Sequence, residues 1–249
     1  MKQVELNEQD IKKLFKSETP SARFLRAIQK ITKNLIYFGC LYLIFFYIIN
    51  FSAINKQLAF WLNPPKFEPV VVNNPDPTPN LSDPDPEPLP NYSPRIQIPR
   101  VAIDAPIVMN VTAPRVVPEL SKGVAHLYDS ALPDQRGNTV IFGHSSNYTW
   151  SRGSYKSVFT LLTKLKAGDQ IILPYKSQKY VYEVTGTKVI SPYDLSVLKK
   201  TDDPILTLIT CYPLGTSQKR WVVIAKLVNG EQTGVQPNDP LLSEVPTPR

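Results

Sequence analysis

The sequence predicts a mainly β domain, a small barrel or sandwich with one or two short helices, set behind a transmembrane helix and a proline-rich linker. Three observations carry this. Residues 34–55 contain no charge, 11 prolines fall within residues 63–94, and residues 95–228 are built of short apolar or alternating runs. A chain of 249 residues has room for one ordinary domain plus attachments.

The uncharged run is bracketed by Lys33 and Lys56. As a helix, it would rise about 33 Å, enough to cross a hydrocarbon core of about 30 Å. It shows no polar stripe, which a helix buried in a soluble core would normally carry. Residues 1–33 hold eight Lys or Arg against four Asp or Glu, whereas 57–94 has Lys66 alone against five acids. Basic residues stay on the cytoplasmic side, so residues 1–33 read as a cytoplasmic tail, 34–55 as a single membrane span, and everything beyond as exported.

Residues 56–94 follow as the linker. Runs such as Asp83-Pro84-Asp85-Pro86-Glu87-Pro88 lack backbone donors and push each residue before a proline toward extended backbone. A polyproline-like strut results, which would hold the next domain away from the bilayer. Residues 229–249 again carry prolines and little apolar pattern, and read as a disordered tail.

Residues 95–228 carry 17 Lys or Arg and 9 Asp or Glu, more positive than the whole chain at +7. Outside the cell, that sign suits anionic lipid heads or wall polymers and makes nucleic acid a poor partner. Strands are expected at 95–98, 101–108, 139–142, 169–173, 179–190, 205–210 and 221–228. Val158, Phe159, Leu161, Leu162 and Leu165 have helical spacing and predict one short amphipathic helix.

Two cysteines and two histidines are too few for a zinc ribbon or a disulfide-stapled scaffold. Cys40 falls in the membrane run, so Cys211 has no intrachain partner. It is an inert buried thiol, half of an intermolecular disulfide, or a nucleophile at the end of an apolar strand. A free thiol is only slightly ionised at neutral pH, so a nucleophile needs a proton partner or positive surroundings. His144, at the end of the strand 139–142, offers the first, and Arg220, nine residues beyond Cys211, the second. A structural hydrogen bond for His144 and a surface charge for Arg220 are the alternatives.

Thr207-Leu208-Ile209-Thr210-Cys211, with an arginine just beyond, resembles the active-site signature of the sortases, membrane-anchored cysteine transpeptidases of bacterial surfaces. The run from Arg95 through Pro106-Ile107 is similar to that family's opening strands. Ala131-Leu132-Pro133 and Gly137 through Gly143-His144 resemble the approach to its histidine. The stretch 162–173, with Lys166-Ala167-Gly168-Asp169, is similar to its helix–Gly-Asp–strand passage. Two departures stand out. Ser145 occupies a position where sortases often carry arginine, and 229–249 holds no second apolar anchor of the kind common in pilus-building members.

The resemblance implies a closed eight-stranded barrel over 95–228. It implies Cys211 as nucleophile, His144 as proton-transferring partner, and Arg220 as the group that binds substrate and stabilises charge. Thr210 would border the substrate groove, and His126 has no catalytic role. The implied activity cleaves a motif like Leu-Pro-x-Thr-Gly between Thr and Gly in another exported protein, then transfers that protein to a cell-wall or pilin amine. No metal or cofactor is called for. A purely hydrolytic cysteine peptidase and a non-catalytic, membrane-tethered wall-binding module are the alternatives.

Overall fold

The computed structural model describes Glu8 and residues 20–65, 92–148 and 150–230. The chain divides into two units, Met1–Ile48 and Ile49–Arg249. In the first, helix α1 runs over Pro20–Ile49, and its Arg23–Ile49 portion is long and apolar enough to cross a membrane by length and composition. It begins well before residue 34, with a proline at its first position, where the missing N–H costs nothing. Asn50, at φ −103° and ψ 17°, leaves the helical path and starts a second helix, α2, over Phe51–Leu62. The uncharged run 34–55 is therefore divided between two helices.

In the second unit, α2 lies on the barrel. The Ser52 and Ser157 hydroxyls are 2.8 Å apart, Lys56 Nζ donates to Ser157 O at 3.1 Å, Ala53 is buried, and Phe60 packs against the core. Residues 56–62, read from sequence as part of the linker, are thus a docked helix. Most of the proline-rich stretch, 66–91, and the tail at 231–249 lie outside the described residues.

The barrel has eight strands: β1 Arg95–Ile98, β2 Ile103–Val111, β3 Val124–Leu127, β4 Asn138–Phe142, β5 Gln170–Tyr175, β6 Gln178–Ile190, β7 Ile205–Tyr212 and β8 Lys219–Asn229. They close in the order β1-β2-β3-β4-β7-β8-β6-β5. The pairs β2/β3 and β4/β7 are parallel, and the rest are antiparallel. Closure leaves no free sheet edge.

Ile96, Ile98, Ile141, Leu206, Leu208 and Val223 fill the interior. Each fully buried side chain of this size contributes about 1.5–3 kcal/mol relative to exposure. A second cluster of Val140, Val197, Ile209 and Val222 covers the outside of β4, β7 and β8. With both faces covered, β7 reads Ile205-Leu206-Thr207-Leu208-Ile209-Thr210 without clean alternation. Its polar members are paired: Thr207 Oγ1 donates to Asn138 Oδ1 at 2.7 Å.

The helix expected around residue 158 is replaced by turns and one 3-10 turn, Leu162–Lys164. Phe159 N–H donates to His144 O at 2.8 Å instead of to a helical carbonyl. Thr160 Oγ1 donates to the carbonyls of Ser145 and Ser157, and such side-chain bonds compete with the helix. A short α-helix, α3 at Val116–Glu119, lies elsewhere.

Candidate active site

The strand register brings the residues singled out in the sequence to one place. β4 and β7 run parallel with Phe142 opposite Ile209, and Gly143 N–H extends the ladder to Ile209 O at 3.1 Å. His144 and Cys211 each stand two residues further, so they lie level on neighbouring strand paths, which are about 4.8 Å apart in a sheet. On the other side of β7, Cys211 is the register partner of Arg220 on β8.

Side chains alternate faces along a strand. Ile209 and Val222 lie in the outer cluster, as does Phe142 at its margin. Cys211 and Arg220 are two residues from Ile209 and Val222, so both fall on the outward face, and His144, two residues past the end of β4, stands level with Cys211. Thr210 and its register partner Trp221 fall on the inner face.

Local packing explains why the chain takes this path. A Cβ at Gly143 would enter the Phe159 ring, so only glycine lets that ring close under the histidine. Thr210, buried, donates its hydroxyl to Gly143 O at 2.8 Å. Gly215 N–H donates to Ser146 Oγ at 3.1 Å, which ties the β7–β8 loop to the segment after His144. Gly215 has φ +77°, in the left-handed region that favours glycine, and Asn50 packs against it.

His144 is half-buried, and that burial pushes its imidazole below the ordinary range. Asn147 Nδ2 lies 3.3 Å from His144 Nε2. Cys211 is a free, partly exposed thiol. Arg220 is also half-buried, and its Nη1 donates to the carbonyls of Ser217 and Lys219, both at 3.0 Å. Its backbone faces Cys211 while its guanidinium braces the β7–β8 loop. A groove of about 360 Å³ opens beside Cys211, between Thr210, Tyr212, Trp221 and Thr160, with Gln57 of α2 at its border. Two buried polar atoms at this groove, Ser145 Oγ and Trp221 Nε1, have no partner among the described residues.

His126 is wholly buried on β3. Asn110 N–H donates to its Nδ1 at 3.4 Å, and its Nε2 lies 2.9 Å from Ala131 O and 3.1 Å from Ser130 Oγ. With the backbone donor at Nδ1, the ring proton sits on Nε2. These bonds give His126 a structural role away from Cys211. Sequence reading passed over Asn147, Ser146 and Gln57. The first two were accessible as a Ser-Ser-Asn turn directly after His144, whereas nothing local in Gln57 announces that α2 folds back to the groove.

The Sortase domain family model matches residues 96–228, more than half of the chain. Sortase D of Bacillus subtilis (strain 168) is 31% identical over 137 residues, covering 53% of this chain and 62% of that protein. Sortase A of Bacillus anthracis is 30% identical over 135 residues, covering 54% of this chain and 59% of that protein. The match thus spans about three-fifths of these curated relatives. Among solved structures, a lid mutant of sortase A from Corynebacterium diphtheriae is similar at 30% identity with a TM-score of 0.47, covering 62% of this chain and 75% of that one. With the family model matched across the whole barrel, from β1 to β8, this chain belongs to the sortase family.

Proposed function

We propose that the protein is a cysteine transpeptidase, anchored by α1 with its N-terminus in the cytoplasm and its barrel outside. It cuts a sorting motif like Leu-Pro-x-Thr-Gly between Thr and Gly in another exported protein and passes the acyl group to an amine of cell-wall peptide or pilin. The observation that carries this reading is the strand register, which sets Cys211 opposite Arg220 on β8 and level with His144 just past the end of β4.

The chemistry follows from those three groups. Cys211 sulfur, its proton passing to His144, attacks the Thr carbonyl carbon and forms a C–S bond. The oxygen takes up the negative charge, which the Arg220 guanidinium stabilises after turning from its loop carbonyls to the substrate. The C–N bond to Gly breaks, the imidazolium returns its proton to the departing amine, and a thioacyl enzyme remains. An incoming amine then attacks the thioester, loses a proton to His144, and the sulfur leaves to recover it. Thr210 borders the groove and, through Gly143, holds the histidine segment beside β7.

The test uses the full chain in detergent micelles with a sorting-motif peptide and an amine. Mass spectrometry is expected to find the acyl fragment on Cys211 when amine is withheld, and an amide product when amine is added. Absence of the adduct, or its presence on Cys211→Ala, overturns the reading. Free acid as the sole product, even at high amine concentration, would instead make the protein a peptidase.

A further inference from the structure

Asn147 is the one side chain bonded to a ring nitrogen of His144 among the described residues, and its orientation is fixed by its neighbours. Tyr148 N–H donates to Asn147 Oδ1 at 2.8 Å, and Ser151 Oγ donates to the same oxygen at 2.9 Å. A backbone N–H has no acceptor character, so the atom it meets must be the amide oxygen. The amide nitrogen is therefore the atom turned to His144, and it can only donate. His144 Nε2 must accept, which leaves the ring proton of the neutral imidazole on Nδ1.

We propose that Asn147 is a positioning residue that sets the protonation state of His144, holding the ring neutral with its proton on Nδ1 and a bare Nε2. This rests on the reading of His144 as the proton-transferring partner of Cys211. An imidazolium carries protons on both nitrogens, so Nε2–H would oppose the Asn147 Nδ2 hydrogens. Protonation must break the Asn147 contact, and a broken contact lowers the ring's affinity for the proton. Asn147 thereby opposes a standing thiolate–imidazolium pair before substrate arrives.

The surroundings leave this influence unopposed. Residues 138–160 contain no Asp or Glu, and neither do β7 and β8. On the neighbouring strands, the charged or titratable groups level with His144 are Cys211 and its register partner Arg220. The loop after His144 brings Arg152 and Lys156, the turns at Phe159 lead to Lys164, and α2 brings Lys56 to Ser157. The β6–β7 loop, whose Val197 covers the same face, carries Asp194, Lys199, Lys200, Asp202 and Asp203. Asp194 accepts from Ser196 N–H at 2.9 Å, and Asp202 and Asp203 lie just before β7, at the end of that strand opposite Cys211. An uncharged donor thus stands where a carboxylate would stabilise the imidazolium.

The chain has only two histidines, so two-bond proton–nitrogen spectra of the ¹⁵N-labelled full chain in micelles resolve both rings, with His126→Gln assigning them. In the wild type, the His144 ring is expected to be protonated at Nδ1 and bare at Nε2. Asn147→Asp keeps the shape and the contacts of Oδ1 but places an acceptor at Nε2. It is expected to move the proton to Nε2 and raise the ring's titration by about 1–3 pH units, as a carboxylate beside a cation does. Asn147→Leu is expected to erase the Nδ1 preference. The acid limb of kcat/KM for a sorting peptide should follow the ring upward in Asn147→Asp. A wild-type ring protonated at Nε2, or a titration that Asn147→Asp leaves in place, overturns the proposal. If the ring responds but the acid limb stays fixed, the contact stands and the role of His144 in the reaction falls.

Discussion

Thr210 donates its hydroxyl to the carbonyl of Gly143 at 2.8 Å, so the residues that immediately precede Cys211 and His144 are bonded to each other. Thr210 faces the inside of the sheet, while Cys211, the next residue on β7, emerges on the outer face. Parallel strands share slanted, evenly spaced bonds but have no turn between them to fix their ends. The threonine hydroxyl supplies that fixing across 67 residues of sequence. Thr210→Val keeps the shape and leaves a buried carbonyl without this partner, at a cost of about 1–3 kcal/mol. The expected result is a lower thermal midpoint together with a drop in kcat/KM, read by circular dichroism and peptide turnover. A stable variant with unchanged turnover would show that the β4 and β7 ends hold their places without the bond.

Gly143 makes a second demand. Its Cβ would enter the ring of Phe159, whose N–H holds the carbonyl of His144 at 2.8 Å. Gly143→Ala must shift either the ring or the segment that carries the histidine, and such overpacking costs about 1–3 kcal/mol. Turnover is expected to fall at temperatures where the barrel remains folded. Phe159→Leu, introduced beside Gly143→Ala, is expected to restore part of it by making room. Failure of the smaller side chain to rescue would place the defect outside this contact.

Much of this arrangement was legible in the sequence because its signals are local. The strands 139–142 and 205–210 stand out by apolar run and branching, and both end at a residue with chemistry. Their parallel pairing was not legible, since β4 and β7 are separated by 62 residues that include two other strands. The helix expected around Phe159 failed for a related reason: its N–H and the Thr160 hydroxyl are engaged by carbonyls of the His144 segment, which periodicity cannot see. The docking of α2 was hidden by composition. Residues 51–55 are as free of charge as the run before them, and Asn50, packed at Gly215, marks where one helix ends and the next begins.

Burial pushes His126 below the ordinary imidazole range, outweighing the backbone bond to Ala131, and His144 is lowered in the same direction. Between the depressed folded value and about 6.5, the ordinary value, the unfolded chain binds protons that the folded barrel refuses. Stability from this source is therefore complete above about 6.5 and is lost as pH falls toward the folded value. Denaturant midpoints measured from pH 7.5 to 5 should fall with acid. His126→Gln, which removes the titration while keeping polar atoms in place, should flatten that slope even if its midpoint is lower throughout. A slope that survives the substitution in full would assign the acid sensitivity to other groups.

Arg220 poses the sharpest choice, because its guanidinium holds Ser217 O and Lys219 O while its backbone faces Cys211. As a loop brace, it would act through stability, and as a charge-stabilising group, it would act through turnover. The side chain is only half-buried and its acceptors lie in an exposed loop, so its removal should cost the fold little. Loss of one preorganised donor to a developing oxyanion lowers kcat by about 100–1,000-fold, which is an upper bound for a guanidinium that must first turn from its loop carbonyls. Arg220→Ala is expected to show a loss up to that size with a nearly unchanged thermal midpoint. Arg220→Lys keeps the charge without the planar fork and should recover only part of the rate. If the midpoint falls in step with turnover for both variants, Arg220 is a brace for the β7–β8 loop, and the oxyanion must be held by other donors near Cys211.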